Sequence, residues 1–167
     1  YSWLRAQLIK KTGIEPAEHV YPVWGWLQTK DSQLETDLRS SFYRSWSSLA
    51  GEFVILELNL PSSAHLPSEY SAWHFALNGW FLSNDQGAEA FEKECDARGL
   101  NIFNGDTKSL PEDIQERIRN SWLAFLDEKK LDQLGEFSPY TWQTVFWEIN
   151  LKDIVGVRKF KTKGKKS

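Results

Sequence analysis

The sequence predicts an α+β fold with a mainly antiparallel sheet. Residues 141–151 are rich in aromatic and β-branched side chains, a composition typical of a strand. Residues 68–82, 84–98 and 111–126 carry apolar residues at helical spacing and begin with capping residues. Strand-like and helix-like stretches are segregated along the chain. This favours α+β over an alternating parallel architecture.

The first part of the chain predicts one helix and two strands. Residues 1–12 form an amphipathic helix, and Gly13 ends it. Residues 20–28 form a strand, and residues 52–60 form a second strand rich in β-branched and apolar side chains. Between the strands, residues 30–50 are a polar connection, and long connections inside compact domains are often functional.

Three helices and two strands complete the chain. Ser68 is a good N-cap for the first helix, and Pro111 suits the first turn of the third. In the strand over residues 141–151, alternation places Glu148 in mid-strand among large aromatic residues. Such a carboxylate is either a solvent-facing residue or a functional acid, because burial without a partner is costly. Residues 155–160 are expected to pair with this strand as a hairpin.

Length and composition indicate one domain over residues 1–160, followed by a basic tail over residues 161–167. The 167 residues include nine Trp, and 14% are aromatic, so flat rings fill a core or line a ligand site. Six of the last ten residues are Lys or Arg although the net charge is −3, which leaves an acidic body and disfavours a nucleic-acid domain.

The single cysteine, Cys95, excludes an internal disulfide and fits a reducing compartment. Its acidic helical surroundings predict a structural thiol rather than a nucleophile. No stretch resembles a membrane span or a cleavable signal peptide, so no membrane partner is expected. Because the chain begins at Tyr1 and contains no Met, we expect it to be part of a longer protein.

Standard catalytic motifs are absent from the sequence. It has no glycine-rich phosphate loop, no paired-cysteine spacing, and its three histidines are far apart, so no metal site is expected. His74 and Asn78, one helical turn apart, suit either ligand binding or a locally hydrogen-bonded interface. Arg39 suits either a phosphate clamp or an ordinary surface position. Trp24 and Trp26 suit either ring stacking or core packing.

Four motifs occur together in an order and spacing that resemble one bacterial family, long described as a domain of unknown function. Its characterised members are similar to CteC-like type III effectors, which are mono-ADP-ribosyltransferases that modify ubiquitin on a threonine. The resemblance covers nearly the whole chain, and it is carried by Tyr21-Pro22-x-Trp24-x-Trp26, Asp37-Leu38-Arg39, Trp73-His74-x-x-Leu77-Asn78 and Gln143-x-x-Phe146-Trp147-Glu148.

The resemblance implies a split, mainly antiparallel sheet of the ADP-ribosyltransferase type, with NAD as cosubstrate and no metal. Glu148 would be the catalytic acid that stabilises the cationic sugar of the transition state, and Gln143 would orient the ribose or the acceptor. The residues implied for NAD are Trp24, Trp26 or Tyr70 around the nicotinamide ring, His74 and Asn78 near the dinucleotide, and Arg39 on the diphosphate.

The implied protein is a secreted effector that acts in host cytosol and blocks ubiquitination, and its acidic body would suit a basic ubiquitin surface. Two departures from the family pattern stand out: an N-terminal segment that contributes a strand in the family is not present before Tyr1, and Thr36 replaces a usual proline. Two alternatives stay open. One is an NAD-dependent toxin in the bacterial cytoplasm that modifies a bacterial protein or nucleic acid. The other is a non-catalytic module with an aromatic binding cleft.

Overall fold

Helices and antiparallel strands together build the fold, as the sequence predicts, in a computed structural model that describes residues 2–27, 50–103, 107–135 and 141–163. The helices are α1 (Ser2–Thr12), α2 (Tyr70–Asn78), α3 (Asp85–Ala97), α4 (Glu112–Ser121) and α5 (Glu128–Asp132). The strands are β1 (Val23–Trp26), β2 (Ala50–Leu58), β3 (His65–Glu69), β4 (Trp142–Phe146) and β5 (Ile154–Lys163). Short 3₁₀ segments cover Thr107–Ser109, Trp122–Leu126 and Leu151–Asp153.

The central strand of the larger sheet is β4, which lies between β1 and β3 and is antiparallel to both. Its Gln143 is directly opposite Trp26 of β1 and Ser68 of β3. Side chains that are directly opposed on neighbouring strands share a face of the sheet. Trp26, Gln143 and Ser68 therefore form one row across the sheet, and this row is the basis of the candidate site.

The strand predicted over residues 141–151 is shorter than expected, because it ends at Phe146. Phe146 is opposite Val23 and His65, which are the first residues of β1 and β3. Both neighbouring strands begin at this point, so beyond it β4 has no backbone partner in the described part of the chain. The prediction that Glu148 lies in mid-strand is therefore wrong.

A separate two-stranded ribbon is formed by β2 and β5. The prediction that residues 155–160 pair with the central strand is wrong, because β5 pairs with β2 along the whole length of β2. The Phe53 and Phe160 rings stack across the ribbon with their centroids 5.4 Å apart. Since β5 continues to Lys163, the predicted basic tail begins inside this strand.

An additional strand, β3, occupies the region where the sequence predicts the start of a helix. The internal Pro67 lacks an N–H group and argues against a strand, but β3 lies at an edge of the described sheet, where proline is tolerated. Ser68 is consequently a buried strand residue, and Glu69 is the N-cap of α2. The prediction of Ser68 as the N-cap is wrong.

The remaining predicted helices are confirmed with small changes in their ends. Asn84 caps α3 through a hydrogen bond from Gly87 N to its Oδ1 (2.9 Å). Pro111 is the N-cap of α4, but the helix changes to 3₁₀ geometry at Trp122 instead of continuing to Leu126. The short helix α5 is not predicted from the sequence.

The core lies between the three-stranded sheet and the helices. Phe125 is fully buried, and its ring meets Trp3 of α1 and Trp73 of α2 at centroid distances of 5.4 and 5.6 Å. Leu4 and Leu8 of α1 are buried in the same cluster. Cys95 is buried within α3 and forms no disulfide, and burial raises the pKa of its thiol. A thiol with a raised pKa is a poor nucleophile, which confirms the prediction of a structural cysteine.

His65 should make the stability of the fold depend on pH. Its Nδ1 is hydrogen-bonded to Thr144 Oγ1 (2.8 Å), and burial together with the nearby Lys11 charge lowers the pKa of the imidazole. A lowered folded-state pKa means that the unfolded chain binds this proton more readily. The contribution of neutral His65 to the free energy of unfolding is therefore complete above about pH 6.5, the ordinary pKa of histidine. This contribution is lost as the pH falls below 6.5 toward the lowered pKa of the folded state.

Urea unfolding at pH 7.5 and pH 5.5 tests this expectation. The wild-type chain should lose stability at the lower pH, and His65→Asn should lose less between the same two values because it has no imidazole to protonate. His19→Asn, at an exposed histidine, is the matched control and should behave like the wild type. An equal loss of stability in all three proteins would show that the pKa of His65 is the same in the folded and unfolded chain.

Candidate functional site

Five side chains from two distant parts of the sequence meet where β1 faces α2. Trp24 contacts Trp73 with a centroid distance of 5.4 Å, and Trp26 contacts Tyr70 at 5.3 Å. The edge of the His74 ring meets the Tyr70 ring at 4.9 Å. We call these five residues the aromatic cluster. Four of them, all except Trp73, are residues for which the family resemblance implies contact with NAD.

Three rings of the aromatic cluster are partly exposed. Trp24, Trp26 and Tyr70 each keep 36% of their surface exposed, whereas Trp73 beneath them keeps only 6%. The three outer rings therefore contact the core with part of their surface and leave the rest in solvent, an arrangement that suits stacking on a flat ligand.

His74 and Asn78 lie on the exposed side of α2. His74 Nδ1 donates to the Tyr70 carbonyl oxygen (2.9 Å), because a carbonyl can only accept. The proton is thus held at Nδ1, and in the neutral ring Nε2 is the acceptor. Asn78 Nδ2 donates to the His74 carbonyl (2.7 Å), so both side chains are locally hydrogen-bonded. They are exposed and not buried in a helix–sheet interface, which corrects the structural alternative for His74.

The row formed by Trp26, Gln143 and Ser68 contains two buried polar groups that are unsatisfied in hydrogen bonding. Gln143 is 6% exposed and Ser68 is fully buried. In the described part of the chain, neither Gln143 Nε2 nor Ser68 Oγ has a hydrogen-bond partner. An unsatisfied buried polar group costs about 1–3 kcal/mol, and folded proteins rarely retain one without a reason. Their position in the row with Trp26 makes them candidate donors to a ligand.

Glu69 fixes the position of the cluster from the start of α2. Its carboxylate is fully buried, with Oε2 accepting from Ala72 N (2.6 Å) and Oε1 accepting from Thr141 N (3.2 Å). One side chain thus joins the first turn of α2, which carries Tyr70, to the residue that precedes β4. Ser68 and Glu69 are not among the predicted site residues, because the sequence predicts the start of a helix at both positions. No local signal marks them as site residues, because Pro67 disfavours a strand and the burial of Ser68 depends on the pairing of β3 with β4.

Glu148 lies two residues beyond Phe146, the last residue of β4. It follows the strand, its side chain is exposed, and its Oε1 accepts from Asn150 Nδ2 (3.2 Å). The preceding Trp147 is held against α1, with Nε1 donating to Thr12 Oγ1 (3.1 Å). The strand from Gln143 to Phe146 alone spans about 10 Å. The structure places Gln143 opposite Trp26, whereas Glu148 follows the end of β4 at which Val145 is opposite Trp24. Asn78 is at the far end of α2 from Tyr70, and Arg39 lies outside the described residues.

The described residues contain neither a metal-binding group nor a helix that could span a membrane. No group of three or more histidine, cysteine, aspartate or glutamate side chains there is arranged to hold a metal ion. Among the same residues, no helix combines the length and the apolar character that crossing a bilayer requires.

The family model of a domain of unknown function, DUF3841, matches residues 1–155. The chain belongs to this family. No curated protein and no solved structure matches the chain. The family description states no activity, so the functional argument depends on the residues of the DUF3841 domain itself.

Proposed function

We propose that the chain is a mono-ADP-ribosyltransferase that transfers ADP-ribose from NAD to a protein acceptor, with a threonine of ubiquitin as the acceptor. The observation that carries the proposal is the position of Gln143 below the aromatic cluster. A buried amide without a partner and a set of half-exposed rings suit a ligand with a flat ring and polar substituents. The nicotinamide end of NAD has both features.

Each residue of the site has a distinct task in this proposal. Trp26 and Tyr70 hold the nicotinamide ring, and Gln143 Nε2 donates to the carboxamide or to a ribose hydroxyl. Transfer breaks the bond between the nicotinamide nitrogen and C1′ of the ribose, and the electron pair leaves with nicotinamide. The acceptor hydroxyl oxygen then bonds to C1′ and loses its proton. Glu148 would stabilise the positive charge on the sugar and take up that proton.

The position of Glu148 favours a second candidate function, a non-catalytic module that binds a ligand on its aromatic cluster. Glu148 is exposed beyond one end of β4, where its side chain accepts from Asn150, whereas Gln143 is near the other end of the strand. Binding without transfer needs only the cluster, Gln143 and Ser68. The two candidates therefore make the same prediction for ligand binding and different predictions for chemistry.

Intact-mass spectrometry of ubiquitin after incubation with NAD and the protein separates these functions. The transferase predicts the addition of one ADP-ribose group, which peptide fragmentation should place on a threonine. If NAD is consumed while ubiquitin is unchanged, the transferase function is retained and the acceptor is rejected; a panel of bacterial proteins and nucleic acids is then the next test. Binding of NAD without consumption would support the non-catalytic module.

Replacing Trp26 by alanine should weaken NAD binding about tenfold. Stacking of a flat base on an aromatic side chain contributes about 1–3 kcal/mol, and about 1.4 kcal/mol corresponds to one factor of ten. Because Trp26 is only 36% exposed and packs on Tyr70, the substitution should also lower the melting temperature, and affinity is measured where the variant is fully folded. Isothermal titration calorimetry with NAD is the measurement. Trp80→Ala, at an exposed tryptophan outside the aromatic cluster, is the control, and equal affinities for the two variants would reject the cluster as the NAD site.

A further inference from the structure

An apolar groove lies at the opposite end of α2 from Tyr70. Gly79 ends the helix with a positive φ of 70°, and the chain then turns so that Trp80 and Phe81 face α3. The groove has a volume of about 190 Å³ and is lined mainly by aromatic side chains: Phe75, Trp80, Phe81, Phe91 and Phe103. A monomeric protein gains nothing by leaving such a surface in water, and apolar patches of this kind mark interaction sites.

The rings along the groove combine a fixed floor with exposed edges. Phe91 is buried and stacks on Phe81 with the centroids 4.1 Å apart, which gives the floor a defined shape. Trp80 is 45% exposed and Phe103 is 67% exposed at the rim. A rigid floor with an exposed aromatic rim is the arrangement in which a partner side chain is held most tightly.

One end of the apolar groove is acidic. Glu92 lines the groove and also a neighbouring cavity of about 350 Å³, and Asp96 lines that cavity, so the two spaces are adjacent along α3. Ile102 and Phe103 line both spaces as well. A ligand that occupies both spaces therefore contacts apolar rings in the groove and carboxylates in the neighbouring cavity.

The two carboxylates of this acidic end lack the counter-charges that their neighbours have. Glu89 pairs with Lys93 (2.7 Å) and Glu94 with Arg117 (2.6 Å). Among the described residues, Glu92 and Asp96 form no ion pair, and they are four residues apart on one helix. Like charges at this spacing repel each other, which is unfavourable for the isolated helix. A cationic partner would remove this repulsion.

We propose that this groove is the docking site for the protein acceptor, and that the acceptor presents an apolar patch bordered by lysine or arginine. The inference rests on the proposed transferase function, since only a transferase needs a protein acceptor. Charge complementarity favours a partner with cations, because Glu92 and Asp96 line the cavity next to Phe103 and form no ion pair among the described residues. A helix of nine residues is about 13 Å long, so α2 places the docked partner within reach of the aromatic cluster at its other end.

Binding of ubiquitin, measured by calorimetry in the absence of NAD, tests the proposal. Phe103→Ala and the charge reversal Glu92→Lys should each weaken binding about tenfold, because the first removes an aromatic contact with the partner and the second places a cation opposite the partner's cations. The matched controls are Leu151→Ala, at an exposed apolar residue, and Glu116→Lys, at an exposed acid of α4; both lie outside the groove and should leave the affinity unchanged. All four changes are at exposed positions, and circular dichroism should confirm that each variant is folded.

Each outcome of this experiment supports or overturns the docking site. Loss of binding in the two groove variants alone supports it. Equal affinities in all variants, or no binding of ubiquitin by the wild type, overturn it. Self-association that Phe103→Ala abolishes would assign the groove to a second copy of the chain and also overturn the proposal. NAD titrations of the same variants keep the two hypotheses distinct: failure to bind NAD with groove-dependent ubiquitin binding rejects the transferase and not the docking surface.

Discussion

Glu148→Gln should lower the rate of ADP-ribose transfer about 100- to 1,000-fold, the loss seen when one electrostatic stabiliser of a transition state is removed. Glutamine keeps the size of the side chain and an Oε1 atom that can accept from Asn150 Nδ2, but it has no negative charge to stabilise the sugar cation. The melting temperature should stay the same, because the residue is exposed and follows the strand.

This expectation depends on the position that the structure gives to Glu148. A buried acid in mid-strand would have made the substitution hard to interpret, because loss of activity could follow from loss of folding. At an exposed position, activity and stability can be measured separately. Single-turnover assays with saturating NAD give the chemical rate, and Glu116→Gln, an exposed glutamate on α4, is the matched control. Wild-type transfer by Glu148→Gln would remove this residue from the mechanism.

Local signals in the sequence predict the helices well. Gly13 follows α1, and Asn84 caps α3, as the composition at the helix ends indicates. These signals act within one turn of the chain and do not depend on the rest of the fold. The α+β class with antiparallel strands also follows from the order of the elements.

Strand ends and strand partners depend on distant residues, and there the sequence misleads. The apolar and aromatic pattern continues past Phe146, but β1 and β3 do not extend beyond it, so the strand ends. Nothing near residues 155–160 indicates that their partner is β2, about a hundred residues earlier in the chain. The edge position of β3, which permits Pro67, is likewise visible only in the sheet.

The residues of the candidate site can be named from the sequence, but their positions relative to one another depend on the fold. The family resemblance names Trp26, Tyr70, His74 and Gln143 without giving a reason for them to meet, and the structure places them together. It does not place Glu148 with them. The unsatisfied Ser68 is invisible in the sequence, because it becomes significant only when it is buried opposite Gln143. Ring contacts link Trp26, Tyr70 and His74, and Gln143 is opposite Trp26, whereas Glu148 follows the end of the strand.

Glu69→Ala should destabilise the fold by about 2–4 kcal/mol, since it leaves the N–H groups of Ala72 and Thr141 without their acceptor and removes an N-cap. For a chain of this size, the melting temperature should fall by about 5–15 °C. Glu69→Gln should cost less, because its Oε1 can still accept one of the two bonds. Thermal and urea unfolding are the measurements, and Glu116→Ala, at an exposed position, should be nearly neutral.

The substitution at Glu69 should also weaken the site, since the same carboxylate positions the helix turn that carries Tyr70. At a temperature where Glu69→Gln is fully folded, its affinity for NAD should fall while its affinity for ubiquitin at the far end of α2 is retained. A loss of both affinities would mean that α2 as a whole is displaced. Unchanged NAD binding would mean that Tyr70 is held in place by its contact with Trp26, and that the cap serves stability alone.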